Sequence, residues 1–167
     1  MVCVLSSKTK NEGSFVGWSP RKVQSFLDTL EYDRNAHSSV KSVLKTGKAN
    51  CLGGALTAAY LLEENYGSEL LLFRTKKHIG HAIYVFSENG NFGGIGKSRN
   101  KHLEWRDPIY TSEEEVYKSY SKYLENPDWW VTIDLKNLPF KVNWINGNGN
   151  INEIFWDIAI IELLKKI

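Results

Sequence analysis

The chain has 167 residues, 42% of them hydrophobic and 24% charged, with a net charge of +2. That length suits a single domain over residues 1–167, able to bury about 70% of its unfolded surface without disulfide help. The small net charge and the lack of any basic run beyond three residues argue against a nucleic-acid partner. No apolar stretch approaches the ~20 residues needed to span a bilayer.

Only two cysteines occur, Cys3 and Cys51, too few for a disulfide framework, so a reducing compartment fits. The apolar run at the N-terminus is short and is followed directly by Lys8 and Lys10, unlike a secretory signal. The expectation is a soluble, cytoplasmic protein. The 13% aromatic share fits a core built from large side chains.

Residues 1–17 carry no periodic pattern and read as a loose lead-in. Ser19-Pro20 is a helix start, a cap residue followed by proline at the first helical position. Val23, Phe26, Leu27 and Leu30 then recur at helical spacing. A shorter helix is expected over Ser38 to Lys45, stopped by Gly47.

The helix expected from Cys51 to about Glu64 is apolar most of the way round, so it should be central. Gly53 and Gly54 cost about 1 kcal/mol each relative to alanine, which implies a close approach by another backbone or a substrate.

Glu69 to Arg74 and His81 to Ser87 read as strands. Asn89-Gly90 is the strongest hairpin signal in the chain. A two-residue turn there pairs Glu88 with Asn91 and sets Ser98 opposite His81, with Asn100 one diagonal step away. Asp107-Pro108 marks a turn, and Ser112 with Glu115 forms a capping box before a helix. Val131 to Leu135 is a further strand, and a closing helix follows the Gly147-Asn148-Gly149-Asn150 link.

A thiol at a helix start lies near unsatisfied N–H groups and the positive end of the helix dipole, both of which favour the thiolate. An imidazole on an adjacent strand can take the thiol proton, provided that a third group fixes its tautomer. Cys51 and His81 fill the first two roles, and Asn100, Ser98 and Asp107 are the candidates for the third. His78, His81 and Cys51 could instead ligate a metal, but no fourth Cys or His is near, so no metal is expected. Gly96-Lys97-Ser98 looks like the end of a phosphate loop, yet Asn91 stands where that pattern needs glycine and no helical stripe follows. No cofactor is expected.

The order N-C-x-x-x-A-L-x-A-A-x-L-L, strand, G-H-A-I-Y-V-F, turn, strand resembles the transglutaminase-like branch of the papain-like cysteine proteins. The match spans about Asn50 to Asn100, and the later W-R-D-P-I-Y is similar to uncharacterised bacterial members of that group. The resemblance implies an α+β fold with an antiparallel sheet on the Cys-bearing helix and flanking helices. It further implies Cys51 as nucleophile and His81 as general base, acting on a peptide-like or amide substrate by hydrolysis or acyl transfer. In that family the third residue is an Asp or Asn on a neighbouring strand, and here no aspartate stands on the strand after the turn. The competing expectation is a non-catalytic peptide- or protein-binding module on the same scaffold.

Overall fold

Ser19 caps the first helix as its sequence demands: its hydroxyl accepts from Lys22 N, and Pro20 occupies the first turn of α1 (Pro20–Asp28). The computed structural model describes residues 17–77, 80–147 and 149–167. A short strand β1 (Glu31–Tyr32) leads to α2 (Val40–Thr46), which ends on Gly47 in the left-handed conformation. Strand β2 (Lys48–Ala49) then runs parallel to β1, with Tyr32 paired to Ala49. Two-residue strands carry no detectable alternation, and the sequence pattern did not mark this pair.

After β2 come α3 (Cys51–Tyr66), β3 (Glu69–Thr75), β4 (Gly80–Glu88) and β5 (Asn91–Gly96). A single 3-10 turn, η1 (Lys101–Leu103), precedes β6 (Arg106–Tyr110), α4 (Glu113–Ser121), β7 (Pro127–Asp134) and α5 (Ile151–Leu164). The architecture is mixed α+β, with five of the strands in one antiparallel sheet ordered β6-β5-β4-β3-β7.

Alternation along β4 divides the molecule into two layers. Ala82, Tyr84 and Phe86 share a core with Leu52, Ala55, Leu56, Ala59 and Leu62 of α3 and with residues of α1, α2 and α5. Ile83 and Val85 belong to a second, smaller core with Leu71, Phe73 and, from α4, Val116 and Tyr120. The largest sealed side chains include Tyr84, Tyr120, Phe73, Phe86 and Phe155.

The Asn89-Gly90 turn has positive φ at both residues, 52° and 80°, as a tight hairpin of this hand requires. Pairing runs from Glu88↔Asn91 to Ile83↔Gly96 in one register. It stops there, short of the expected Ser98–His81 pair. The Gln24 side chain takes both main-chain polar groups of Gly96, at 3.0 and 3.2 Å, and Ser98 N turns aside to Glu104 Oε1.

The expected turn at Asp107-Pro108 is instead the middle of β6. That strand forms one edge of the sheet, where a proline lacking an N–H is tolerated. Pro127 likewise opens β7 at the other edge, so this strand begins four residues earlier than its apolar run implies.

The two glycines of α3 are explained by packing within the protein. A Cβ on Gly54 would lie 2.5 Å from Lys97 Cβ, and one on Gly53 would lie 3.0 Å from Val43 Cγ2. No helix of the described residues is long and apolar enough to cross a membrane.

Candidate functional site

Asn50 sets the start of α3. Its Oδ1 accepts Gly53 N at 2.7 Å, and its Nδ2 donates to Ala36 O at 2.9 Å while exchanging hydrogen bonds with the Ser38 hydroxyl. The side chain is 6% exposed and ties the helix end to the loop before α2. Cys51, the next residue, is partly buried against the larger core.

The Cys51 sulfur faces the main-chain amides of Ala82, Leu52 and Cys51 itself, each of which favours the thiolate. Burial outweighs them and pushes the thiol pKa up. The expectation of a helix-start thiolate is therefore corrected: removal from water costs the anion more than the helix amides return.

His81 occupies the second position of β4 and is 5% exposed. Its Nε2 donates to Leu103 O at 2.8 Å, and its ring meets Phe73 edge-on with centroids 5.4 Å apart. Burial first, then the nearby Arg106 charge, holds the imidazole down to about 4 against the partial support of the Leu103 carbonyl. The ring is neutral at pH 7, with its proton on Nε2. Among the described residues, Nδ1 has no hydrogen-bond partner.

Cys51 and His81 meet β4 at neighbouring residues but on opposite faces: Cys51 packs against the larger core, and His81, in phase with Ile83 and Val85, stands with Phe73 on the side of the smaller one. The sulfur lies against the Ala82 amide, and the imidazole springs from the residue before it. No hydrogen bond joins the thiol to either ring nitrogen.

None of the three expected orienting residues holds His81. Asn100 caps η1, its Oδ1 accepting from His102 N at 3.0 Å, and Ser98 Oγ accepts from Asn100 N at 3.1 Å. Asp107 accepts from the Trp105 indole at 2.9 Å. The hairpin ladder ends before it can carry Ser98 or Asn100 to the ring, and β6 holds Asp107 exposed at the sheet edge.

The carbonyl that replaces them is itself fixed. Arg106 donates to His102 O and Trp105 O, each at 2.7 Å, and Tyr120 Oη donates to Glu104 O at 2.6 Å. With His81 on Leu103 O, four successive carbonyls of this turn are taken by buried or half-buried side chains. Gly96 makes room, since a Cβ there would lie 2.8 Å from Leu103 O. Sequence patterns give no sign of this arrangement, because every residue carries a carbonyl.

Beside Cys51, Tyr32 is half-buried and its phenol interacts electrostatically with the thiol. Burial first, then Cys51, raises the Tyr32 pKa, while Arg99 and Arg34 oppose that rise. The Arg99 guanidinium lies 5.2 Å from the centre of the Tyr32 ring. A cavity of about 440 Å³ opens at Asn50, lined by Arg34, Asn35, His37, Asn150 and Asn152 among others. His37 is engaged at both ring nitrogens, with Ser39 Oγ and Gly149 O.

No group of three or more His, Cys, Asp or Glu side chains among the described residues is placed to hold a metal, and His78 lies outside those residues. Lys97 of the phosphate-loop look-alike is buried with its Cβ against Gly54, and only the short turn η1 follows it.

No family model matches this chain, and no curated protein matches it. A solved TGase crystal structure is similar at 20% sequence identity with a TM-score of 0.39, covering 56% of this chain. The similar region is 29% of that protein's chain, so this chain matches less than a third of its length.

Proposed function

We propose that the protein carries out thiol-dependent acyl chemistry on an amide or peptide-like bond, with Cys51 as nucleophile and His81 as base. The observation that carries this reading is the state of the imidazole. Leu103 O holds the proton on Nε2, which leaves Nδ1 as the ring's acceptor, on the residue next to the one whose amide the sulfur faces. The sequence resemblance over Asn50 to Asn100 supports the same pairing.

In this reaction the thiol proton passes to Nδ1 through a bridging water, since no hydrogen bond joins the two groups directly, as the sulfur attacks the carbonyl carbon. The carbonyl electron pair moves to oxygen, and the amides of Cys51 and Leu52 lie at the helix start to receive that charge. Collapse expels the amine, which takes the proton back from His81 and leaves a thioester. Water then gives the acid, and a second amine gives transfer.

Both groups rest neutral, so attack is assisted by a base rather than made by a preformed ion pair. A carbonyl oxygen fixes the tautomer as a carboxylate would, but supplies no full charge to the imidazolium.

The test is acetylation by p-nitrophenyl acetate in a Cys3→Ser background. A burst of nitrophenolate stoichiometric with protein is expected, with one acetyl group on Cys51. It should vanish in Cys51→Ala and slow by at least about a hundredfold in His81→Gln, the lower end of what general-base assistance contributes. Acetylation no faster than that of a cysteine in a short peptide would refute the reading.

A non-catalytic peptide-binding module is the second reading, favoured by the burial that keeps the thiol protonated. Under it, Cys51→Ala leaves peptide affinity unchanged and no burst occurs.

A further inference from the structure

The two sides of α5 meet different surroundings. Ile151, Phe155, Ile158 and Ala159 recur at helical spacing and are buried in the larger core. The opposite side faces water and is nevertheless aliphatic. Ile160, Ile161 and Leu164, with Ile167 just past the helix end, are between 37% and 97% exposed. Their spacing of i, i+1, i+4 and i+7 puts them on one strip. Among the described residues, the other exposed large hydrophobic side chains are Ile109, Tyr123 and Phe140. Those three lie apart, on β6, after α4 and before α5. Scattered apolar residues are ordinary on a protein surface, whereas a contiguous strip marks an interaction site.

Charge tells which partner fits. Toward its N-terminal end the strip carries Asp157, an exposed carboxylate with no ion pair among the described residues. Glu153, one turn earlier, is exposed too, and its Oε2 accepts from Asn150 Nδ2 at 2.8 Å. At the C-terminal end stands Lys165. Its ammonium meets Glu162 at 2.6 Å, yet the side chain stays 60% exposed and keeps further N–H donors to give. This order of charges suits the helix dipole. It also makes the strip complementary to itself when turned end for end, as a two-fold interface requires. An anionic lipid surface would meet the two carboxylates, and a parallel copy would set like charges side by side.

We infer that the outward strip of α5 is the interface of a homodimer, in which two copies of the helix pack antiparallel across a two-fold axis at Ile161. Asp157 and Lys165 lie four residues on either side of Ile161, about 6 Å along the helix. The two-fold therefore sets Asp157 of each copy level with Lys165 of the other, within reach of the long lysine stem. Ile160, Ile161 and Leu164 fill the middle between those two pairs. An aliphatic centre with a charged rim is the anatomy of a specific interface. One short helix pair buries little area, so the dimer is weak, with a Kd on the order of 10–100 μM. Nothing in the dimer depends on the reaction at Cys51.

Sedimentation equilibrium of the full chain, at concentrations that bracket this Kd, should show a monomer–dimer equilibrium. Leu164→Glu should leave only monomer. Asp157→Lys and Lys165→Asp should each weaken association by about tenfold, since each turns two attractive pairs repulsive. The two substitutions together restore opposite charges across the axis and should bring the Kd back to near the wild-type value. Eight residues, about 12 Å, separate the two side chains within one helix, so that rescue reports contact between copies.

A dimer that survives Leu164→Glu, or charge variants that the double substitution does not rescue, would overturn the inference. So would a monomeric wild type, and two further measurements then say what the strip meets instead. A lower urea midpoint for Leu164→Glu gives the strip to another part of the same chain. Sedimentation of the wild type, but not of Leu164→Glu, with phosphatidylglycerol vesicles gives it to a lipid surface.

Discussion

The main-chain carbonyl of Leu103 stands 2.8 Å from Nε2 of His81, where a side-chain orienter would otherwise be needed. Gly96 is what allows it to come so close. A methyl group at Gly96 would press on Leu103 O at 2.8 Å and on the Ile83 side chain. Gly96→Ala is expected to cost about 1–3 kcal/mol by overpacking and to loosen the imidazole. Ring-nitrogen NMR of the wild type should show the Nε2–H tautomer, and the variant should show exchange between tautomers. An unchanged spectrum would mean that the carbonyl does not set the tautomer.

His81 also makes a pH prediction. Its folded pKa of about 4 lies below the ordinary 6.5, so the native state binds fewer protons between those values. The stability linked to this group is complete above pH 6.5 and is lost as pH falls toward 4. At pH 4.5 the loss is on the order of 2–3 kcal/mol. Urea midpoints for wild type and His81→Asn at pH 7 and 4.5 should diverge by that amount, and parallel shifts would disprove the assignment.

Glu69 works in the opposite direction. It sits in register opposite Asp134 at the start of β3. Burial first, then Glu113 and Asp134, raises its carboxyl to about 7. The native state binds the extra proton between pH 4.5 and 7, so stability falls as pH rises through that window. Glu69→Gln should therefore gain on wild type above pH 7, by about 1 kcal/mol for relief of like charges facing across strands. Because the Glu69 and His81 windows overlap with opposite signs, wild-type stability should vary less between pH 4.5 and 6.5 than either variant's.

Asn50 predicts how firmly Cys51 is placed. Asn50→Ala removes the cap on Gly53 N and the donor to Ala36 O, and strands Ser38 in a buried site. The expected cost is about 2–3 kcal/mol, a lost cap plus an unsatisfied buried group. Asn50→Asp keeps the acceptor and should recover the cap but not the donor. Equal midpoints for the two variants would show that the cap contributes nothing.

Much of the scaffold was legible in the residues because short-range rules decide it. Ser19-Pro20 starts α1, Asn89-Gly90 closes the hairpin with its register, and Gly147 to Asn150 precedes the closing helix. The interior glycines Gly53 and Gly54 announced a close approach. They could not say that the approaching groups are Val43 and Lys97. Asp107-Pro108 misled, because a proline permits either a turn or an edge strand, and only the neighbouring strand decides which.

The sequence by itself determined that a cysteine opens a central helix and that a histidine stands near the start of a strand beyond it, since capping and alternation depend on adjacent residues. Tertiary structure alone decided the protonation of both groups and the partner of the imidazole. Burial depends on every element packed around a side chain, and the acceptor is a main-chain oxygen that every residue type carries. What makes Leu103 the partner is the set of donors from Arg106 and Tyr120 that fix its turn, together with the missing side chain of Gly96 beneath it.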